Sequence, residues 1–369
     1  MLGRADAGDS GPEPSQRPRP ARQSGHGWAV ARVIFVNVKR PFRPRPLRPG
    51  DVVEVRPAAE ILATLDADGA IDNMPFMPEM ARFAGRRFTV SRRVDKICDT
   101  IAATGSRRMT DTVYLEDLRC DGSSHGGCQA GCKIYWKEAW LRRVDEDGSG
   151  GAQESARAPS DEAMTRLDQL ARAGSRPVRS DPDEAGDYWR CQNTEALRAT
   201  TPLKTSNLAQ YWRELRNGNF APPRFAFLFA RAFVMEIGKR TGLLKPHPLH
   251  GPGTQTAPAG LNLQAGEVVR VRSPDAIEAT LDETGHNRRL SFDREMLPYC
   301  GQTLRVKYRA ERIIDEKTGR MLKLPKDCLV LDGAVCSGER TPGSWFCPRE
   351  IYAFWREAWV EPVEKPDQA

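Results

Sequence analysis

The sequence predicts an α+β fold: two copies of one antiparallel β module, each followed by a cysteine loop and a tryptophan-containing helical segment, joined by a helical middle segment. The first observation behind this is an internal repeat. Residues 50–99 align with 266–315 without a gap, and 19 of the 50 positions are identical. The match resumes at Cys120/Cys336 and then, with three extra residues in the second copy, at Cys128/Cys347 and at Trp136-Lys-Glu-Ala-Trp140/Trp355-Arg-Glu-Ala-Trp359. The second observation is the two-residue alternation of Val52-Val-Glu-Val55 and Val268-Val-Arg-Val271, the rhythm of a half-buried strand. The third is a change to helical periodicity between residues 187 and 245.

The chain divides accordingly. Residues 1–30, rich in Pro, Gly, Arg and Ser, read as a disordered basic arm. Repeat 1 spans 31–145 and opens on an expected strand at Val33–Val38. Within each repeat, Asp66-Ala-Asp-Gly69 and Asp282-Glu-Thr-Gly285 read as tight turns, because Asp accepts its own downstream amides and Gly tolerates positive φ. Return strands follow Gly85 and Gly301, and further strands are expected near Thr112–Leu115 and Cys328–Leu331. Residues 146–186 form a polar linker with one short helix at 163–171. The helical segment, 187–245, holds a turn of helix at 194–199 and a helix capped by Ser206 and ended by Gly218. Its last helix, Pro223–Lys239, is apolar nearly all round, which predicts burial between the repeats or in a partner's groove. A Pro/Gly linker at 246–261 precedes repeat 2, 262–363.

Short, evenly spaced strands with a Gly-Asp/Glu-Val-Val start and a Gly-led return strand resemble SH3-like barrels over residues 48–118 and 264–334. The resemblance implies a small, strongly bent antiparallel sheet and no particular chemistry. The signature Cys120-Asp-Gly-Ser-Ser-His-Gly-Gly-Cys128-Gln-Ala-Gly-Cys132 with its Trp136–Trp140 segment is similar to one in bacterial proteins, a likeness that brings no activity with it.

Charge narrows the function. The net +7 resides in residues 1–48, with ten Lys/Arg against three Asp/Glu, so the remaining 321 residues balance at 46 of each sign. A folded nucleic-acid-binding surface is therefore not expected, and phosphate binding would fall to the arm. No apolar run reaches the roughly 20 residues a membrane span needs, and nothing reads as a signal peptide, so a cytoplasmic protein without a membrane partner is expected. An unidentified protein partner remains open. Neither a Walker loop nor G-x-G-x-x-G, H-E-x-x-H or G-x-S-x-G occurs.

Nine cysteines in a reducing compartment point to metal ligands or buried thiols. Repeat 1 offers Cys98, Cys120, Cys128 and Cys132 as ligands of one zinc ion or iron-sulfur cluster, with His125 in the Gly-rich loop that would wrap it. Cys191 is a further sulfur, as ligand or as nucleophile of a redox or cysteine-dependent enzyme. Repeat 2 keeps Cys336 and Cys347 but has Ile314 and Ile351 where repeat 1 has Cys98 and Cys132. Three arrangements stay open: a site within repeat 1, a four-thiolate site shared by Cys120, Cys128, Cys336 and Cys347, or core thiols without a metal. Trp136/Trp140 and Trp355/Trp359 read as core, with Glu138 and Glu357 on or beside the wet face.

Overall fold

Val53 and Val55 are fully buried while Val52 is exposed, so the alternation legible in the sequence is the alternation of a strand with one face on a core. The computed structural model describes residues 45–102, 104–144, 161–176, 188–245, 247–252 and 259–363. The arm and the strand expected at 33–38 lie outside them.

In repeat 1, β1 (Val52–Val55) leads into the short helix α1 (Ala58–Leu62) and is followed by β2 (Arg87–Arg93), β3 (Thr112–Leu115), β4 (Trp136–Lys137) and β5 (Leu141–Arg143). These form one antiparallel sheet in the order β4-β3-β2-β1-β5. The middle segment contributes α2 (Asp161–Gly174), α3 (Leu208–Asn217) and α4 (Pro222–Arg240). Repeat 2 supplies β6 (Val268–Val271), α5 (Pro274–Glu278), β7 (Thr303–Arg309), β8 (Cys328–Val335), β9 (Tyr352–Arg356) and β10 (Val360–Pro362). Their sheet has the order β9-β8-β7-β6-β10, the same arrangement strand for strand.

The copies match in detail. The register slips between Val90 and Arg92 in β2 and between Val306 and Tyr308 in β7, so each return strand carries its irregularity at the same repeat position. Asp66 Oδ1 accepts from the amides of Asp68 and Ala70, and Asp282 Oδ1 from those of Thr284 and His286. Gly69 (φ 70°) and Gly285 (φ 80°) supply the left-handed residue those turns require.

Each core is organised around its tryptophans. Phe76 meets Trp140 edge to face at 5.2 Å, and Phe292 meets Trp359 at 5.4 Å. All four Trp-x-Glu-Ala-Trp indoles are completely buried. The segment is not helical as expected: Trp136 pairs with Val113 across the sheet, and Glu138–Trp140 makes one 3-10 turn before β5. Strand pairing overrides the four-residue spacing. Of the two carboxylates, Glu138 stays beside the wet face, 24% exposed, while Glu357 is buried. Glu138 pairs with Arg93 and accepts from the Leu47 amide, and Glu357 pairs with Arg309 and accepts from the Asn262 and Leu263 amides. They tie the entry of each repeat to its return strand.

In the middle segment, residues 161–174 of the expected linker form a helix that buries Leu167 and Ala171 against the core of repeat 1. Residues 194–199 form turns, not helix. Helix α3 is capped by Asn207, one residue after Ser206, through its side chain and the Ala209 amide, and it ends at Gly218. Helix α4 departs most from expectation. It buries only Leu228 and Ala232, while Phe227, Phe233, Val234 and Ile237 are exposed. No helix among the described residues is long and apolar enough to cross a membrane.

Candidate metal centre

The loop between β3 and β4 is shaped by its own backbone. The Cys120 amide donates to the Cys132 carbonyl at 2.8 Å, closing the loop at its neck, and the Gly122 carbonyl accepts from the amides of His125 and Gly127. Gly122 is obligatory here. It sits at φ 71°, and a Cβ would lie 2.0 Å from the Cys128 carbonyl oxygen.

This fold brings Cys120, His125, Cys128 and Cys132 around one cavity of about 40 Å³, with Glu79 from the 3-10 helix Pro78–Phe83 and Cys191 from the middle segment completing the wall. The Cys120 thiol donates to Glu79 Oε1 at 3.0 Å, and His125 Nδ1 lies 3.6 Å from the same oxygen. Glu79, Cys120 and His125 present ligand atoms within 4.8 Å of one another, the one such group of three among the described residues. This buried trio could hold a metal ion. The Asn193 side-chain amide donates to Cys132 Sγ at 2.8 Å, as amides do to metal-bound sulfurs.

The electrostatics of the wall are those of buried thiols and a buried imidazole. Burial pushes the Cys128 and Cys132 thiols up and Cys191 to about 12; burial and then the Glu79 carboxylate hold Cys120 well above its ordinary value. Burial likewise lowers His125, keeping the imidazole neutral. A bound cation reverses the penalty on the thiolates. In the cavity wall, Glu79 Oε2 and both ring nitrogens of His125 are buried and make no hydrogen bond; elsewhere the same holds for the Tyr135 hydroxyl, Arg294 Nε and the indoles of Trp136, Trp140 and Trp355. Buried polar atoms are ordinarily satisfied. The equivalent carboxylate of repeat 2, Glu295, accepts from the amides of Ser337, Arg340 and Thr341 and from the Ser337 hydroxyl. One copy has closed its loop onto the carboxylate; the other leaves it facing the cavity.

Cys98 is elsewhere. It ends the strand Lys96–Cys98, where its amide donates to Cys347 Sγ at 3.1 Å, and it is held near Arg349, whose buried guanidinium donates to the Cys98 carbonyl and to Thr100 and pairs with Glu316. The Cys347 thiol and then the Arg349 charge bring Cys98 down to about 7, and burial pushes its partner Cys347 up. Cys336 joins this second group electrostatically. The pairs Cys120/Cys128 and Cys336/Cys347 do not line a common cavity. They are related by a reciprocal exchange: Cys128 Sγ accepts from the amide of Ile314, and Cys347 Sγ from the amide of Cys98, the repeat 1 equivalent of Ile314. Each loop therefore docks on the other repeat. Gln129 strengthens the first contact by accepting from Glu311 and Arg312 and donating to the carbonyls of Arg309 and Arg312.

Two wall residues carried little sequence signal as ligands. Glu79 recurs in both repeats, as turn residues also do, and Cys191 lies outside the repeated segment. A nucleophile needs a lowered thiol pKa, which Cys191 does not have. No family model, curated protein or solved structure matches this chain.

Proposed function

We propose that the chain is an accessory protein carrying one iron-sulfur centre, in which Cys120, Cys128, Cys132 and Cys191 are the sulfur ligands and tandem SH3-like modules frame them. The observation that carries this reading is the gathering of four cysteines on one cavity wall from two distant segments. A single tetrahedral zinc with bonds of about 2.3 Å would draw four sulfurs to about 3.8 Å of one another. The tight group of ligand atoms contains only one sulfur, that of Cys120. No three of the four sulfurs lie within 4.8 Å of one another, which favours a core of several metal atoms over one ion. The strand order shared by the two sheets supports the tandem-module part of the reading.

A second reading rests on that tight group: a mononuclear ion on Glu79, Cys120 and His125 with one further donor. Anaerobic purification separates the two. The first expects brown protein with iron and acid-labile sulfide, both lost in Cys191→Ser and retained in Cys98→Ser. Colourless protein with one zinc per chain, retained in Cys191→Ser and lost in His125→Ala, would establish the second. Metal-free protein in every preparation would refute both.

A further inference from the structure

Helix α4 is a 19-residue helix, about 28 Å long, whose buried stripe is narrow. Leu228 and Ala232 are buried, and Phe225 and Met235 pack partly beside them against Trp345 and Phe346. The opposite side is apolar too. At about 100° per residue, Phe229, Phe233, Ile237, Ala230, Val234 and Phe227 fall in that order around a continuous arc of about 160°. Phe227 is 56% exposed, Phe233 63%, Val234 66% and Ile237 46%. Such a contiguous apolar surface marks an interaction site.

Its surroundings choose the occupant. Residues 208–245 hold seven Lys/Arg (Arg213, Arg216, Arg224, Arg231, Lys239, Arg240 and Lys245) against two Glu. Neither acid of the segment offsets them at the surface, since Glu214 is buried and Glu236 accepts from the Trp345 indole; from outside the segment, Glu339 pairs with Arg224. A second copy would bring the same cations edge to edge, and like charges across an interface oppose docking. The basic arm of this chain has the same sign of charge and so is not the complementary occupant. Trp212 of α3 is exposed as a further amphipathic ring, and Phe229, Phe233 and Ile237 also line a groove with Leu208 and Tyr211 of α3. An exposed apolar face set among cations matches the chemistry of an anionic lipid surface, where apolar side chains enter the acyl boundary and Arg and Lys remain among the headgroups.

We propose that α4 is an interfacial helix that docks this protein on anionic bilayers. The proposal is independent of the metal centre. The test is co-sedimentation of the full chain with vesicles of phosphatidylcholine alone or of phosphatidylcholine and phosphatidylglycerol in equal parts, at low and high salt. Wild type should bind the anionic vesicles at least about tenfold better than the neutral ones, with the difference reduced by salt. The doubly substituted Phe227→Glu, Val234→Glu protein, altered only at exposed positions, should lose that binding while keeping the wild-type melting temperature. Three results overturn the proposal: equal partitioning onto both vesicle types; undiminished binding by the double variant together with loss in Arg17→Glu, Arg19→Glu, Arg22→Glu protein, which would place the contact in the arm; or no vesicle binding with a dimer in light scattering that the double variant abolishes.

Discussion

The two equivalent glutamates, Glu79 and Glu295, provide an internal control for the metal centre. Both are 5% exposed, yet their hydrogen bonding differs entirely. Glu295 Oε2 accepts from the Ser337 amide at 2.9 Å and hydroxyl at 2.6 Å, and Oε1 from the amides of Arg340 and Thr341 at 2.7 and 3.1 Å. Glu295→Gln keeps one oxygen but turns an NH2 group toward donors that then have no acceptor. Hydrogen bonds to a charged group contribute about 1.5–3 kcal/mol each, so losing those at one oxygen costs on the order of 3 kcal/mol. For a protein of this size that is a fall in Tm on the order of 4–5 °C. Glu79→Gln removes Oε2, which accepts nothing, and leaves an oxygen for the Cys120 thiol. In metal-free protein its cost should stay within about 1 kcal/mol, because no hydrogen bond to the carboxylate is lost. Thermal denaturation of both variants after chelator treatment measures the contrast, and metal analysis before treatment should show a deficit in Glu79→Gln for a mononuclear ion on Glu79, Cys120 and His125, and none for a centre held by the four sulfurs. Equal destabilisation of the two metal-free variants would show that Glu79 is a structural carboxylate and would remove the argument from its unpartnered oxygen.

Gly122→Ala should cost about 2 kcal/mol or more, since the left-handed backbone penalty is joined by overlap with the Cys128 carbonyl; Gly50→Ala, at φ 88° with open space around it, should show the backbone penalty alone. Denaturant melts of the two variants should differ, and equal midpoints would mean that the cysteine loop yields freely. The Cys98 thiol, brought from an ordinary 9.0 down to about 7, gives a pH signature. An acid depressed on folding stabilises fully above its unfolded value and loses that contribution as pH falls through the folded one, so the Tm advantage of wild type over Cys98→Ser should be larger at pH 9 than at pH 7. A pH-independent difference under reducing conditions would indicate that the Cys98 thiolate does not form beside Arg349.

Local pattern made much of the scaffold legible. The strands, the Asp-Gly turns and the buried tryptophans each express a preference that the repeat doubles, so sequence and structure agree at Val53 and Val269 or at Asp66 and Asp282. What failed was decided by tertiary context. Trp136 and Trp140 have helical spacing, but pairing with Val113 draws the first into a sheet. The phenylalanines of α4 imply burial, yet the helix offers the protein a narrow stripe and leaves the rest outside. At the candidate site, spacing along repeat 1 suggested Cys98 together with the loop cysteines; the fold instead sets Cys98 against Cys347 and fills the wall with Cys191, from a segment that has no copy to be aligned with. Reach across 58 intervening positions, from Cys132 to Cys191, is a property of packing that no local motif encodes.

The exchange of sulfur contacts between the loops has a consequence for how the molecule could ever be divided. Cys128 rests on an amide of repeat 2 and Cys347 on an amide of repeat 1, so each half finishes the other's loop. A chain containing one copy alone would have to find a twin before its cysteine loop met the same surface. Fusion of two copies makes that encounter intramolecular and frees the halves to diverge: one loop folded shut on Glu295, the other left open around Glu79.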